Sequence, residues 1–223
     1  MSKKLIAACM ALAAFAAFAV APSIAAAENS PEVTHPTGTT LATGTKITAT
    51  NVGETKFTST LPPILCNSAY MTGELTENTG SSVKADITAA GFTGTGTGGD
   101  CTGGELLVHP TPETGTNGLP WCLTSNSEMV TDEFKVRGGS CTEEPRPIEF
   151  ALDITGVATC TYQRTTPISG TFTTHPEDAI LTITGVAFTK TTGQSFFCPT
   201  TGELEMSFTL ETDTETAEPI YIS

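Results

Sequence analysis

The sequence predicts an all-β protein, a disulfide-stapled sandwich or jelly roll, and three observations carry that expectation. Apolar residues recur with period two over short runs bounded by Gly, Pro and Asn. Threonine, a β-branched residue suited to pleated surfaces, fills about a fifth of the positions. Six cysteines, an even number, follow a leader of export type. The alternative architecture is two immunoglobulin-like domains in tandem.

The leader comes first in the chain. Lys3 and Lys4 precede an apolar run over residues 5–20, followed by Pro22 and the small residues Ala25, Ala26 and Ala27. This is the layout of a secretory signal peptide over residues 1–27. The apolar run approaches the roughly 20 residues of a spanning helix, but the break at Pro22 and the alanines before Glu28 favour cleavage. Cys9 precedes most of the apolar run, where a lipoprotein cysteine would follow it, and is read as part of the signal.

Cleavage leaves 196 residues, room for one large β domain or two small ones. With Lys3 and Lys4 removed, 8 basic residues face 24 acidic ones, a net charge of −16. Such a surface repels phosphate, so a nucleic-acid partner is not expected. No transmembrane segment is expected after the signal.

Residues 28–45 hold Pro31, Pro36 and few apolar side chains, and are expected to form a flexible leader to an all-β domain over residues 46–223. Strands are read at 46–50, 55–60, 69–76, 82–93, 105–109, 129–136, 148–155, 157–162, 170–174, 179–189, 203–215 and 219–222. Alternation is clearest near the C-terminus, where Leu204, Met206, Phe208 and Leu210 share a face opposite Glu205, Ser207, Thr209 and Glu211. One face packs and the other is wet.

Segments 66–106 and 160–204 align with small gaps. Cys66 falls on Cys160, 71–75 on 168–172, 87–93 on 183–189, Cys101 on Cys198, and 102–106 on 200–204. An internal duplication is expected from this match. On that correspondence each half closes its own loop, Cys66 with Cys101 and Cys160 with Cys198, which leaves Cys122 with Cys141. No two of the six are close enough in sequence for a zinc knuckle, so structural disulfides are expected.

The Cys160 and Tyr162 run, Ser-Gly-Thr at 169–171, Cys198 with Pro199, and the closing Ile-Tyr-Ile-Ser resemble a broad group of Thr-rich secreted β proteins of high-GC Gram-positive bacteria. The resemblance covers most of the chain after the signal. It implies export and a β fold, and brings no known activity, cofactor or site residue.

Chemistry-bearing motifs are few. His35, His109 and His175 each precede proline, which favours extended turn or strand-exit positions. Residues 94–99 satisfy G-x-G-x-x-G, but no helix follows as a dinucleotide site requires. No serine lies in a G-x-S-x-G elbow. Asp132 with Glu133, and Glu143 with Glu144, are adjacent and would face opposite ways in a strand. Glu211, Asp213 and Glu215 would share one strand face, as a charged edge that discourages pairing or a loose cation site. Trp121, the single tryptophan, is expected in the core beside a disulfide. The T-x-T pairs Thr93 with Thr95 and Thr182 with Thr184 lack the constant spacing of an ice-binding face.

No catalytic, metal or cofactor residue is therefore singled out. The expected function is a secreted, non-catalytic β module with an interaction or structural role at or near the cell surface, meeting an extracellular or envelope partner. An extracellular hydrolase acting on glycan or protein is the alternative, and a cation-dependent adhesion module the third. With no sorting signal apparent at the C-terminus, release or non-covalent retention is expected.

Overall fold

The computed structural model describes residues 31–93, 101–102, 105–107, 118–129, 132–154, 158–173, 178–191, 195–214 and 217–222. The predicted signal peptide lies outside them. In chain order the strands are β1 (Val33–Thr34), β2 (Lys46–Asn51), β3 (Thr55–Thr58), β4 (Ile64–Cys66), β5 (Ser68–Asn78), β6 (Ser82–Thr93), β7 (Glu105–Leu107) and β8 (Trp121–Asn126). They continue as β9 (Glu133–Gly138), β10 (Ile148–Ile154), β11 (Ala158–Arg164), β12 (Ile168–Phe172), β13 (Ile180–Lys190), β14 (Thr201–Thr212) and β15 (Tyr221–Ile222). No helix occurs among the described residues.

Eight of these strands close into an antiparallel barrel in the order β2-β5-β6-β8-β9-β12-β13-β14, with β14 returning to β2. Each neighbour round the ring is the next barrel strand along the chain, so this is an up-and-down barrel. The expected sandwich or jelly roll is corrected here. Period-two alternation puts one face of every strand inward in all three architectures. What separates them is whether the first and last strands pair, which no local pattern encodes. The tandem immunoglobulin alternative also fails, because strands from both halves of the chain enclose one continuous core.

Inside, Leu204, Met206, Phe208 and Leu210 of β14 are buried as their alternation predicts. Outward positions carry polar and charged residues such as Lys84, Lys135, Thr182 and Glu211. A membrane-spanning barrel needs the reverse, an apolar outer band.

Among the described residues the even-numbered connections of the barrel carry no strand, whereas the odd-numbered ones carry every inserted strand. At that second end β3 lies on β14, with Leu204 opposite Phe57, and β4 lies on β3. On the other flank β11 lies on β13, β10 on β11 and β7 on β10. Beneath this extension Phe57, Phe150, Tyr162 and Phe188 form a buried aromatic cluster with ring centroids 4.9–5.9 Å apart. Gly202 makes room for it, since a Cβ there would stand 2.1 Å from Cζ of Phe57.

Three disulfides bind the inserted segments: Cys66 to Cys101, Cys122 to Cys141 and Cys160 to Cys198. Each links residues 19 to 38 apart in sequence.

The opposite end is covered by a two-stranded ribbon. Val33 pairs with Ile222 and Thr34 with Tyr221. Asn78, at the end of β5, accepts from the Val33 N–H (3.0 Å) and donates to the carbonyls of Val33 (2.8 Å) and Leu41 (3.0 Å). Residues 31–45, expected from their composition to form a flexible leader, thus include β1 and are tied to β5 and β15. Val33 and Leu41, the few apolar side chains there, are both buried, and a side-chain clasp replaces the strand periodicity that would have announced them.

Candidate functional site

The barrel interior is apolar and incompletely filled. Eight strands make a barrel just wide enough to be packed by its own side chains or to hold one small ligand. Here the lining mixes bulky residues, such as Leu181 on β13 and Leu210 on β14, with the small Ala49 on β2, Gly73 on β5 and Ala85 on β6, around a cavity of about 70 Å³. All eight barrel strands contribute to its wall, and Val33 and Ile222 of the end ribbon close it. Ser125 is among its few polar residues, and its hydroxyl donates to the Glu133 carbonyl at 2.8 Å.

Two further spaces of about 20 Å³ each lie in the interior. The first shares Met71 and Phe134 with the large cavity. The second shares Trp121, Ile168 and Met206 with the first, and reaches Phe150 and Phe188 of the aromatic cluster. The three therefore run in series from the ribbon to the disulfide-bearing end. Phe134 fits because β12 presents Gly170 beneath it, where a Cβ would stand 2.4 Å from the ring.

Trp121 is buried, as its sequence context suggests. Its Nε1–H has no hydrogen-bond partner among the described residues. Thr55 Oγ1 on β3 is likewise buried and unpartnered, but Thr55 lines none of the three spaces.

A void costs contacts. At about 24 cal/mol per Å³, a cavity of about 70 Å³ forgoes about 1.7 kcal/mol. An occupant would restore those contacts and add its own gain on leaving water, about 0.8 kcal/mol per buried CH₂.

The residues weighed for chemistry are scattered. His35 Nδ1 meets Glu218 Oε2 at 3.0 Å on the exterior of the ribbon, while His109 and His175 lie outside the described residues, as do residues 94–99. Asp132 takes a left-handed backbone (φ 65°) before β9, and Glu133 faces Lys135 at 3.8 Å. Glu143 pairs with Arg146 at 3.3 Å, and the adjacent Glu144 is exposed. β14 ends at Thr212, and just past it the Asp213 N–H donates to the Lys46 carbonyl at 2.9 Å; Glu215 lies outside the described residues.

Asp86 sits beside Cys122 and Cys141. Those sulfurs are joined in a bridge and are not thiolates a metal could use, and the Asp86 carboxylate accepts from the Cys141 N–H at 2.6 Å. Among the described residues two groups depart from their ordinary protonation range. Burial pushes the Tyr162 phenol up to about 12, and its hydroxyl donates to the Pro199 carbonyl at 3.1 Å. Hydrogen bonds from Lys84 and Ser82 hold the half-buried Glu77 below the usual carboxylate range.

No family model, curated protein or solved structure matches the chain. Function must come from the interior itself. Sequence reasoning missed this site because alternation identifies inward residues without revealing whether they fill the space between them.

Proposed function

We propose that this is a secreted, non-catalytic binding protein whose barrel holds a small apolar ligand, acting at or near the cell surface. The observation that carries it is the cavity walled by all eight barrel strands and almost free of polar groups. Ligand sites are typically concave, mostly apolar and already formed. The export-type leader and three disulfides support an oxidising, extracellular setting. Nothing among the described residues favours the hydrolase alternative, since His35 faces Glu218 on the outer surface, away from any enclosed space.

The test is thermal unfolding of the oxidised protein with n-alkanes from pentane to nonane, beside an Ala49→Leu variant that fills the large cavity. A ligand that binds only the folded state raises Tm by mass action. Wild type should show a rise with an optimum chain length, and Ala49→Leu should lose it while unfolding at or above the wild-type temperature. No rise with any alkane, or an equal rise in the filled variant, would reject the barrel as the site.

A further inference from the structure

We infer that residues 31–41 are a lid over the barrel cavity, opening about the turn at residues 42–45 to pass ligand in and out, with Asn78 as its latch. This rests on the barrel being an apolar binding site.

A ligand reaches the cavity only past one of its boundaries. The side wall is a closed ring in which every barrel strand is hydrogen-bonded to both neighbours. Towards the disulfide end stand the buried rings of Phe57, Phe150, Tyr162 and Phe188, beneath segments cross-linked by Cys66 with Cys101 and Cys160 with Cys198. At the ribbon end the cover is Pro31, Val33 and Ile222, all buried and all lining the cavity.

The two halves of that cover are held differently. The C-terminal half is bonded by its main chain: Ile220 N–H donates to the Leu210 carbonyl at 3.1 Å, and the carbonyls of Glu218 and Ile220 accept from Thr212 N–H at 2.9 Å and Ala179 N–H at 2.8 Å. Residues 31–41 instead close on themselves. His35 N–H donates to the Thr39 carbonyl at 2.9 Å and Leu41 N–H to the Val33 carbonyl at 3.0 Å, so the segment moves as one piece. It pairs with β15 through Val33 and Thr34, and the Asn78 side chain ties it to β5. Among the described residues its main-chain bonding to the barrel begins at Gly44, whose N–H donates to the Leu75 carbonyl at 2.7 Å. The hinge therefore lies in the turn just ahead of that anchor, where Thr45 N–H donates to the Ala42 carbonyl at 3.2 Å. Lids are drawn from the less stable parts of a fold, and hinges are a few loop positions, often with small side chains.

Thr34 and Tyr221 are cross-strand partners that do not line the cavity. Directly paired antiparallel residues lie at a Cα separation that a disulfide spans. A bridge between Thr34→Cys and Tyr221→Cys thus fastens the lid to the half of the cover that the barrel holds. The experiment measures the binding and release rates of hexane on the oxidised protein by NMR exchange, in wild type, Asn78→Ala and the bridged double variant, with intact mass confirming the added bridge. Asn78→Ala should speed both rates about tenfold, the worth of a clasp of hydrogen bonds. The bridge should slow both by at least as much. Affinity should stay nearly constant throughout, because a lid governs the path and not the end state. A bridged variant that exchanges at the wild-type rate would overturn the lid and leave the apolar site standing. Unchanged rates in Asn78→Ala would overturn Asn78 as the latch. Hexane that binds none of the three proteins would reject the barrel site and this inference together. If Asn78→Ala folds poorly, the bridged variant, which gains a covalent tie, still decides whether the lid is the way in.

Discussion

Leu210 of β14 lies directly across from Ala49 of β2, and this pair joins the last barrel strand to the first. Both side chains also face the large cavity. Closure of the fold and formation of the site are thus the same event: with the seam open, the interior would be one face of a sheet. Closure leaves the ring itself without edge strands, the usual liability of antiparallel sheets, and among the described residues the outermost strands are β4 and β7 of the inserted flanks.

Asn78 ties the end ribbon to β5. Asn78→Ala removes three hydrogen bonds to Val33 and Leu41, at a cost of about 1 to 3 kcal/mol. Because the clasp holds only the end ribbon, hydrogen exchange should rise at Val33 and Leu41 while β5 and β6 keep their protection. Unchanged protection at Val33 would show that the ribbon is held by other contacts.

Gly202 is a packing requirement. Gly202→Ala places a methyl 2.1 Å from the buried Phe57 ring and should destabilise by about 1 to 3 kcal/mol. Phe57→Leu should recover part of that loss in the double variant, seen as a coupling in urea denaturation. Additive losses would indicate that the backbone, not the ring, yields.

Tyr162 gives the fold an alkaline limit. Its folded pKa is raised by burial to about 12 from an unfolded value near 10. Between these values the folded state retains a proton that the unfolded state has released. The contribution is fully present below pH 10 and is lost as pH climbs towards 12. Denaturation midpoints should fall across that window, and Tyr162→Phe should flatten the fall. A wild-type profile no steeper than that of the variant would contradict this.

The disulfides should act through the unfolded chain. Replacing Cys66 and Cys101 together by Ala frees a 35-residue separation and should cost about 3 to 4 kcal/mol on the chain-entropy model. Urea denaturation of the double variant measures it, and a loss below about 1 kcal/mol would mean that the β3–β4 insertion is held by packing alone.

Much of the fold is legible in the sequence because it depends on local pattern. Alternation at Leu204 to Leu210 places β14 and its inner face, and the composition announces an all-β chain. What escaped is decided at long range or by single contacts. β8 was overlooked because Trp121 and Cys122 are adjacent and both buried, which breaks period-two alternation. β1 consists of two residues kept in place by Asn78, 45 positions from Val33. The order of the ring, β2-β5-β6-β8 followed by β9-β12-β13-β14, carries a two-strand insertion after the first strand of each half, an arrangement compatible with the duplication expected from the cysteines. The site was the least legible part, since a cavity is a property of the space between side chains.

The most direct test of the barrel as a binding site is a methyl-resolved NMR titration of the oxidised protein with hexane. Saturable shifts should concentrate on Val33, Val83, Leu181 and Leu210, which line the large cavity from separate elements, and should vanish in Ala49→Leu. Shifts absent from these methyls, or confined to the neighbourhood of the exposed Phe196 and Phe197 between β13 and β14, would contradict it.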